Sequence, residues 1–96
     1  MKRFAILESN TGYVWGVVDA ETALAACAEC DRKIGGTRGD GEYESVSAGD
    51  LSTTRGGYDV RIAPEGFNVQ NGQDSDEIAA VDAMPCAGLF GWVPAE

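Results

Sequence analysis

The chain has 96 residues, of which 44% are hydrophobic, and its 16 acidic residues outnumber 7 basic ones to give a net charge of −9. This length accommodates one domain over residues 1–96 and leaves no room for a second core, and the hydrophobic fraction excludes a disordered chain. A charge of this sign argues against direct binding to nucleic acid or to an anionic membrane, and it favours basic surfaces, although it can also serve solubility alone.

The first third of the chain predicts a β-hairpin followed by a helix. Residues 4–8 and 13–19 are rich in β-branched and aromatic residues, and Gly12 lies in the turn between them. Both segments are apolar on both faces, which predicts two central strands. Asp19 is a typical N-cap residue and predicts the start of a helix over about 20–34.

The rest of the chain predicts short strands and a second helix. Residues 43–47, 58–63 and 87–93 are predicted strands, whereas residues 55–57, with two successive glycines, predict a turn. Asp74 or Ser75 is expected to cap a short helix over about 75–84. The order predicts an α+β fold: a mainly antiparallel sheet of four to five strands with one longer helix packed on it and a short second helix.

Two cysteines of the first helix, Cys27 and Cys30, form the sequence's only pattern typical of a redox or metal site. A redox pair belongs at a helix N-terminus, but these residues lie inside the helix beside acidic neighbours. A zinc site needs four ligands, and Cys86 supplies only a third thiol. The spacing Ala23, Cys27, Cys30, Ile34, with Leu24 beside it, instead predicts a stripe facing the sheet. We therefore expect no metal and no cofactor.

The chain contains no histidine, which limits the catalytic chemistry that it can support. Neither a Ser-His-Asp nor a Cys-His arrangement is possible, and no side chain titrates near pH 7 without a strongly shifted pKa. We predict that the protein is not an enzyme and has no catalytic residues.

The acidic residues are concentrated in two segments of the chain. The first lies after the first helix and contains Asp40, Glu42, Glu44 and Asp50. Alternate residues of an extended strand point the same way about 6–7 Å apart, so this segment can present a row of carboxylates that imitates a nucleic-acid backbone. The second segment lies at and within the second helix and contains Asp74, Asp76, Glu77 and Asp82. Acids near a helix N-terminus are also favoured by the helix dipole, which gives this segment a structural interpretation as well.

The opening segments 4–7, 12–18 and 20–23, with their ββα order, resemble small proteins from phages and mobile elements of GC-rich bacteria. Anti-CRISPR proteins directed at type I systems belong to that group, and many are short, acidic, non-enzymatic α+β domains. The resemblance lies in size, charge and the first third of the chain. It implies a class of inhibitors that bind a nucleic-acid-handling complex or its nuclease.

These observations lead to one main hypothesis and one alternative. The main hypothesis is an inhibitor whose two acidic segments bind the basic surface of a nucleic-acid-handling complex, such as a type I CRISPR surveillance complex, and compete with DNA. The alternative is a structural or accessory module that forms a homodimer through a sheet edge or an exposed aromatic residue. The basic start of the chain reaches Glu8 too soon for the apolar region of a signal peptide, so we expect a cytoplasmic protein of the bacterial host cell.

Overall fold

The computed structural model describes residues 1–33, 41–49 and 55–94. In chain order the elements are β1 (Lys2–Glu8), β2 (Val14–Ala20), α1 (Ala23–Lys33), β3 (Gly41–Ser45), β4 (Arg55–Ile62), α2 (Ser75–Asp82) and β5 (Cys86–Pro94). The strands form one sheet in the order β2-β1-β4-β5-β3, and each neighbouring pair is antiparallel. The predicted α+β fold, with a longer first helix and a shorter second one, is confirmed.

The β1–β2 hairpin is the local unit that the sequence predicts best. The Gly12 N–H donates to the Glu8 carbonyl over 2.8 Å, and the Glu8 N–H donates to the Tyr13 carbonyl over 2.9 Å. Gly12 has a φ of +73°, a conformation that residues with a Cβ rarely adopt, so glycine is strongly favoured in this turn.

The alternating apolar residues of β1 divide between two hydrophobic cores. Phe4 and Ile6 face α1, whereas Ala5 and Leu7 face the opposite side, where α2 packs. The α1 side holds the larger core, which continues across β4, β5 and β3 with Tyr58, Val60, Phe90, Trp92 and Tyr43. The sheet is therefore covered by α1 along its width, and α2 covers mainly the part formed by β1 and β2.

Only one of the two strands predicted to be central lies inside the sheet. β1 is flanked by β2 and β4, whereas β2 is at an edge of the described sheet. The apolar character of β2 has another cause, because the second helix and the segment before it cover its outer face. Val14 is buried there and its N–H donates to the Gly72 carbonyl over 2.8 Å.

The helix α1 begins later than the sequence predicts. β2 continues through Asp19 to Ala20, and Thr22 becomes the capping residue, with its Oγ1 accepting from the Ala25 N–H over 3.1 Å. Asp19 is therefore not a helix cap, and its carboxylate lies 3.1 Å from Arg3 on the paired strand. The predicted helix end, residues 34–36, lies outside the described residues.

Two further differences concern β4. The segment 55–57, predicted as a turn, is the first part of β4, where the backbone pairs with Gly91 and Trp92 of β5. On the α1 face of β4, Tyr58 and Val60 are fully buried, but Ile62 is 45% exposed. Ile62 lies beyond the last residue of β4 that pairs with β5, so the core does not extend over it.

Candidate protein-binding interface

The first acidic segment is only partly described, and its described part is strand β3. Tyr43 is buried against α1, while its neighbours Glu42 and Glu44 are exposed. Because side chains alternate along a strand, both carboxylates lie on the sheet face opposite Tyr43, about 6–7 Å apart. Neither glutamate forms a hydrogen bond or an ion pair with another described residue. Asp40 and Asp50 lie outside the described residues.

The second acidic segment serves the fold of the α2 region. Asp74 is the N-cap of α2, and its Oδ2 accepts from the Glu77 N–H over 3.2 Å. Glu77 in turn accepts from the backbone N–H groups of Gln70 and Asn71 over 2.6 and 2.8 Å. This side chain therefore fixes the approach of the preceding loop to the helix. Asp76 is exposed and forms no described contact.

Asp82, the last acid of this segment, belongs to a polar cluster around Arg61 of β4. The Arg61 guanidinium donates to both carboxylate oxygens of Asp59 over 2.8 and 2.7 Å. It also donates to the carbonyls of Asp82 and Met84, just where α2 ends, and lies 3.6 Å from the Asp82 carboxylate. The hydrogen bonds that Arg61 donates to the Asp59 carboxylate raise the pKa of Arg61. Arg61 thus ties the end of α2 to the sheet.

Glu42 and Glu44, the described residues of the first acidic segment, lie apart from the second segment. α2 packs on β1 and β2, and β4 and β5 lie between β1 and β3. Three inter-strand steps of about 4.8 Å separate β1 from β3, or about 14 Å. Among the predicted site residues, Glu42 and Glu44 form one exposed pair. The carboxylates of Asp74, Glu77 and Asp82 instead contact backbone N–H groups or Arg61.

A groove of about 380 Å³ lies beside β3, between this strand and α1. Its walls combine apolar and acidic residues of three elements: Leu24, Ala28 and Asp31 of α1, Gly41, Glu42 and Tyr43 of β3, and Trp92 of β5. Leu24 is 44% exposed, although the sequence predicts that it lies beside the buried stripe. Ala26 is buried instead, because the stripe that contacts the sheet runs through Ala23, Ala26, Cys27 and Cys30.

Trp92, which lines the groove, carries a buried hydrogen-bond donor. The side chain is 5% exposed, and its indole Nε1 has no hydrogen-bond acceptor among the described residues. A buried donor without an acceptor is unfavourable by about 1–3 kcal/mol. The Nε1 atom has almost no accessible surface, so this cost belongs to the packing of the core and not to the open side of the groove. Sequence reasoning missed this groove, because its walls come from three elements that only the sheet order brings together.

The two cysteines of α1 are buried, as the sequence predicts. Burial raises the pKa of both Cys27 and Cys30 to about 12, so both thiols stay neutral at physiological pH. A Cβ at Gly16 would lie 2.6 Å from the Cys30 sulfur, which shows how closely α1 approaches β2. Within residues 1–33, 41–49 and 55–94, no cluster of three or more cysteine or carboxylate side chains is arranged to hold a metal ion.

Comparison with known proteins finds no protein-family model, no curated protein and no solved structure that matches this chain. In the described part of the chain, no helix combines the length and the apolar character needed to cross a membrane.

Proposed function

We propose that this chain is a non-enzymatic inhibitor that binds a basic protein surface through strand β3 and prevents that surface from binding nucleic acid. The observation that carries the proposal is the exposed pair Glu42 and Glu44, which has no internal partner among the described residues. Two carboxylates about 6–7 Å apart match the spacing between successive phosphates of an extended nucleic-acid strand.

The contrast with the α2 region supports this assignment. Carboxylates that stabilise the fold are recognisable by their contacts, as at Asp74, Glu77 and Asp82. Glu42 and Glu44 have no such contacts, and the net charge of −9 accelerates encounter with a basic partner. Buried neutral thiols and the absence of histidine support a binding protein over an enzyme.

The resemblance to anti-CRISPR proteins makes a type I surveillance complex the first target to test. Binding of target DNA by the purified complex is measured with increasing amounts of the wild-type protein, at low and at moderate salt. We expect inhibition that weakens steeply as salt rises, because exposed charges are screened. Replacing Glu42→Lys together with Glu44→Lys is expected to abolish the inhibition.

The matched control is Glu21→Lys with Glu65→Lys, which changes the net charge equally at two exposed positions away from β3. The control is expected to retain most of the inhibition. Equal loss in both double variants would show that net charge alone matters, and it would refute a role for β3. Unaltered DNA binding in the presence of the wild-type protein would refute the surveillance complex as the target.

A further inference from the structure

The three asparagines of this chain are all exposed, but they are followed by different residues. A β-branched residue follows Asn10 and Asn68, whereas Gly72 follows Asn71. A β-branched side chain shields the peptide nitrogen of its own residue, and glycine has no Cβ to do so. The Gly72 nitrogen is therefore the least shielded of the three from the side-chain amide that precedes it.

Hydrogen bonding also distinguishes Asn71 from Asn68. The Val69 N–H donates to the Asn68 Oδ1 over 2.9 Å, so the peptide nitrogen after Asn68 is bonded. The Asn71 Oδ1 instead accepts from the Gln73 N–H over 3.1 Å. The Gly72 N–H has no acceptor in the part of the chain that the structure describes. The Asn71–Gln73 bond closes an Asx turn, which folds the Asn71 side chain back over the Gly72 peptide.

The fold itself requires a glycine at position 72. A Cβ on Gly72 would lie 2.1 Å from the Val14 carbonyl oxygen, a backbone atom of β2. The Val14 N–H donates to the Gly72 carbonyl over 2.8 Å, and this bond holds the two segments in their close approach. Asn71 therefore precedes a glycine for a structural reason, and the unshielded nitrogen is a consequence of that glycine.

We propose that Asn71 is a site of spontaneous deamidation in the folded protein, whatever partner the protein binds. The Gly72 nitrogen bonds to the Asn71 Cγ and gives its proton to solvent, while Nδ2 takes up a proton and leaves as ammonia. The product is a succinimide ring. Water then cleaves one of the two ring bonds to the Gly72 nitrogen. Cleavage at Cγ gives aspartate, and cleavage at the backbone carbonyl carbon gives isoaspartate.

Both products alter contacts that join the segment before α2 to its surroundings. The Asn71 N–H donates to the Glu77 carboxylate over 2.8 Å, and the Asn71 carbonyl accepts from the Asp74 N–H over 2.9 Å. Aspartate places a further negative charge close to Glu77, and like charges repel. Isoaspartate lengthens the main chain by a methylene group before Gly72 and takes the residue-71 carbonyl out of it. Either change is expected to weaken the attachment of this segment to β2 and α2.

The test incubates the full-length protein at physiological temperature and follows, by mass spectrometry with peptide fragmentation, the exchange of each side-chain amide for a carboxyl group. We expect Asn71 to lose its amide at least about tenfold faster than Asn10 or Asn68. The rate should rise with pH, because the Gly72 nitrogen must lose its proton. Asn71→Gln is expected to abolish the fast reaction, and Asn68→Gln is the matched control that should retain it.

A capped peptide of residues 69–74 measures the same reaction without the fold. We expect the native protein to react at a rate within about tenfold of the peptide, because Asn71 is exposed and the Gly72 nitrogen is unbonded. A slower native rate would overturn the proposal, since it would show that the Asx turn and the contacts of Gly72 protect the site. Equal rates at all three asparagines of the native protein would overturn it as well.

The structural consequence is measured on the deamidated protein, which anion exchange separates from the parent by its additional negative charge. We expect a lower urea midpoint than for the parent, with NMR shifts at the Val14 and Glu77 amides. Asn71→Asp provides the aspartate product alone and should show the smaller loss, because its main chain is unaltered. An unchanged midpoint with unchanged Val14 and Glu77 amides would contradict the proposed weakening of these contacts.

Discussion

The α2 region and the region formed by α1 and β3 both contain carboxylates and thiols, but the two regions differ in which of these groups is exposed and which is bonded or buried. Around α2, the carboxylates of Asp74, Glu77 and Asp82 contact backbone N–H groups or Arg61, and the nearby thiol of Cys86 is exposed. In α1 the thiols of Cys27 and Cys30 are buried, and in β3 the carboxylates of Glu42 and Glu44 are exposed on the sheet face away from α1. Charge in a sequence therefore does not distinguish a structural acid from one that is available to a partner.

The largest effect is expected for the reactivity of the three thiols. With native pKa values of about 12, Cys27 and Cys30 hold few thiolates at pH 8, and we expect them to react with Ellman's reagent about a thousandfold more slowly than in the urea-unfolded protein. Cys86 is expected to react at once in the native protein. Three fast thiols in the native state would contradict the burial of the α1 pair.

These raised pKa values also predict how stability depends on pH. Between the ordinary pKa of 9.0 and about 12, the native thiols keep protons that the unfolded chain has released. The unfolded state therefore binds fewer protons, and the free energy of unfolding falls as pH rises through this window. Urea unfolding of wild type and of Cys27→Ala with Cys30→Ala between pH 8 and 11 checks this, since the double variant should lose less stability over that range.

Replacing Arg61→Ala tests the structural role of the α2 region. The change leaves the half-buried Asp59 carboxylate without its bidentate partner and removes a donor from two carbonyls at the end of α2. We expect the free energy of unfolding to fall by about 2–3 kcal/mol, measured by urea denaturation. Arg32→Ala, which breaks the exposed pair with Glu29, is the control and should leave the urea midpoint unchanged. Similar losses in both variants would contradict the special position of Arg61.

Removing the N-cap at Asp74→Ala is expected to produce a smaller loss of about 1 kcal/mol, because the Glu77 N–H loses its acceptor. Asp76→Ala is the matched control, since Asp76 lies two residues away and forms no described contact. The same denaturation experiment compares them. If Asp76→Ala were as destabilising as Asp74→Ala, the assignment of the cap would be wrong.

The smallest effect on stability is expected at β3. Glu42→Gln with Glu44→Gln should leave the urea midpoint unchanged, because neither carboxylate contacts another described residue. The same variant is the one expected to weaken binding, so the two measurements separate a binding role from a structural one. A marked loss of stability would show that these glutamates belong to the fold, as the acids of α2 do.

Much of the secondary structure follows from local patterns. The alternation in β1, the glycine at position 12 and the capping residue Asp74 each act over a few residues, and each is where the sequence predicts it. The errors occur where a distant segment overrides the local signal. Glycines 56 and 57 favour a turn, but pairing with β5 holds this segment in β4. Apolar β2 has the pattern of a central strand, but it is covered at an edge by α2 and by the loop at Gly72.

The candidate interface likewise contains some features that a local sequence pattern predicts and others that depend on distant contacts. Alternation alone places Glu42 and Glu44 on one face of a strand, and the sequence predicts both as partner contacts. It predicts Asp74, Glu77 and Asp82 equally, since nothing local reveals that Gln70, Asn71 and Arg61 reach their carboxylates. The groove between Leu24 and Trp92 has no local signal at all, because 67 residues of the sequence lie between the two residues that face it.

The sequence by itself determined the α+β fold class, the acidity, the inward cysteines and the paired glutamates of β3, because each depends on composition or on a period of two to four residues. The tertiary structure decided which strands lie at the edges, which acids are bonded and where the groove opens. Those features depend on contacts between distant segments, and long-range pairing of β5 with both β3 and β4 sets them together.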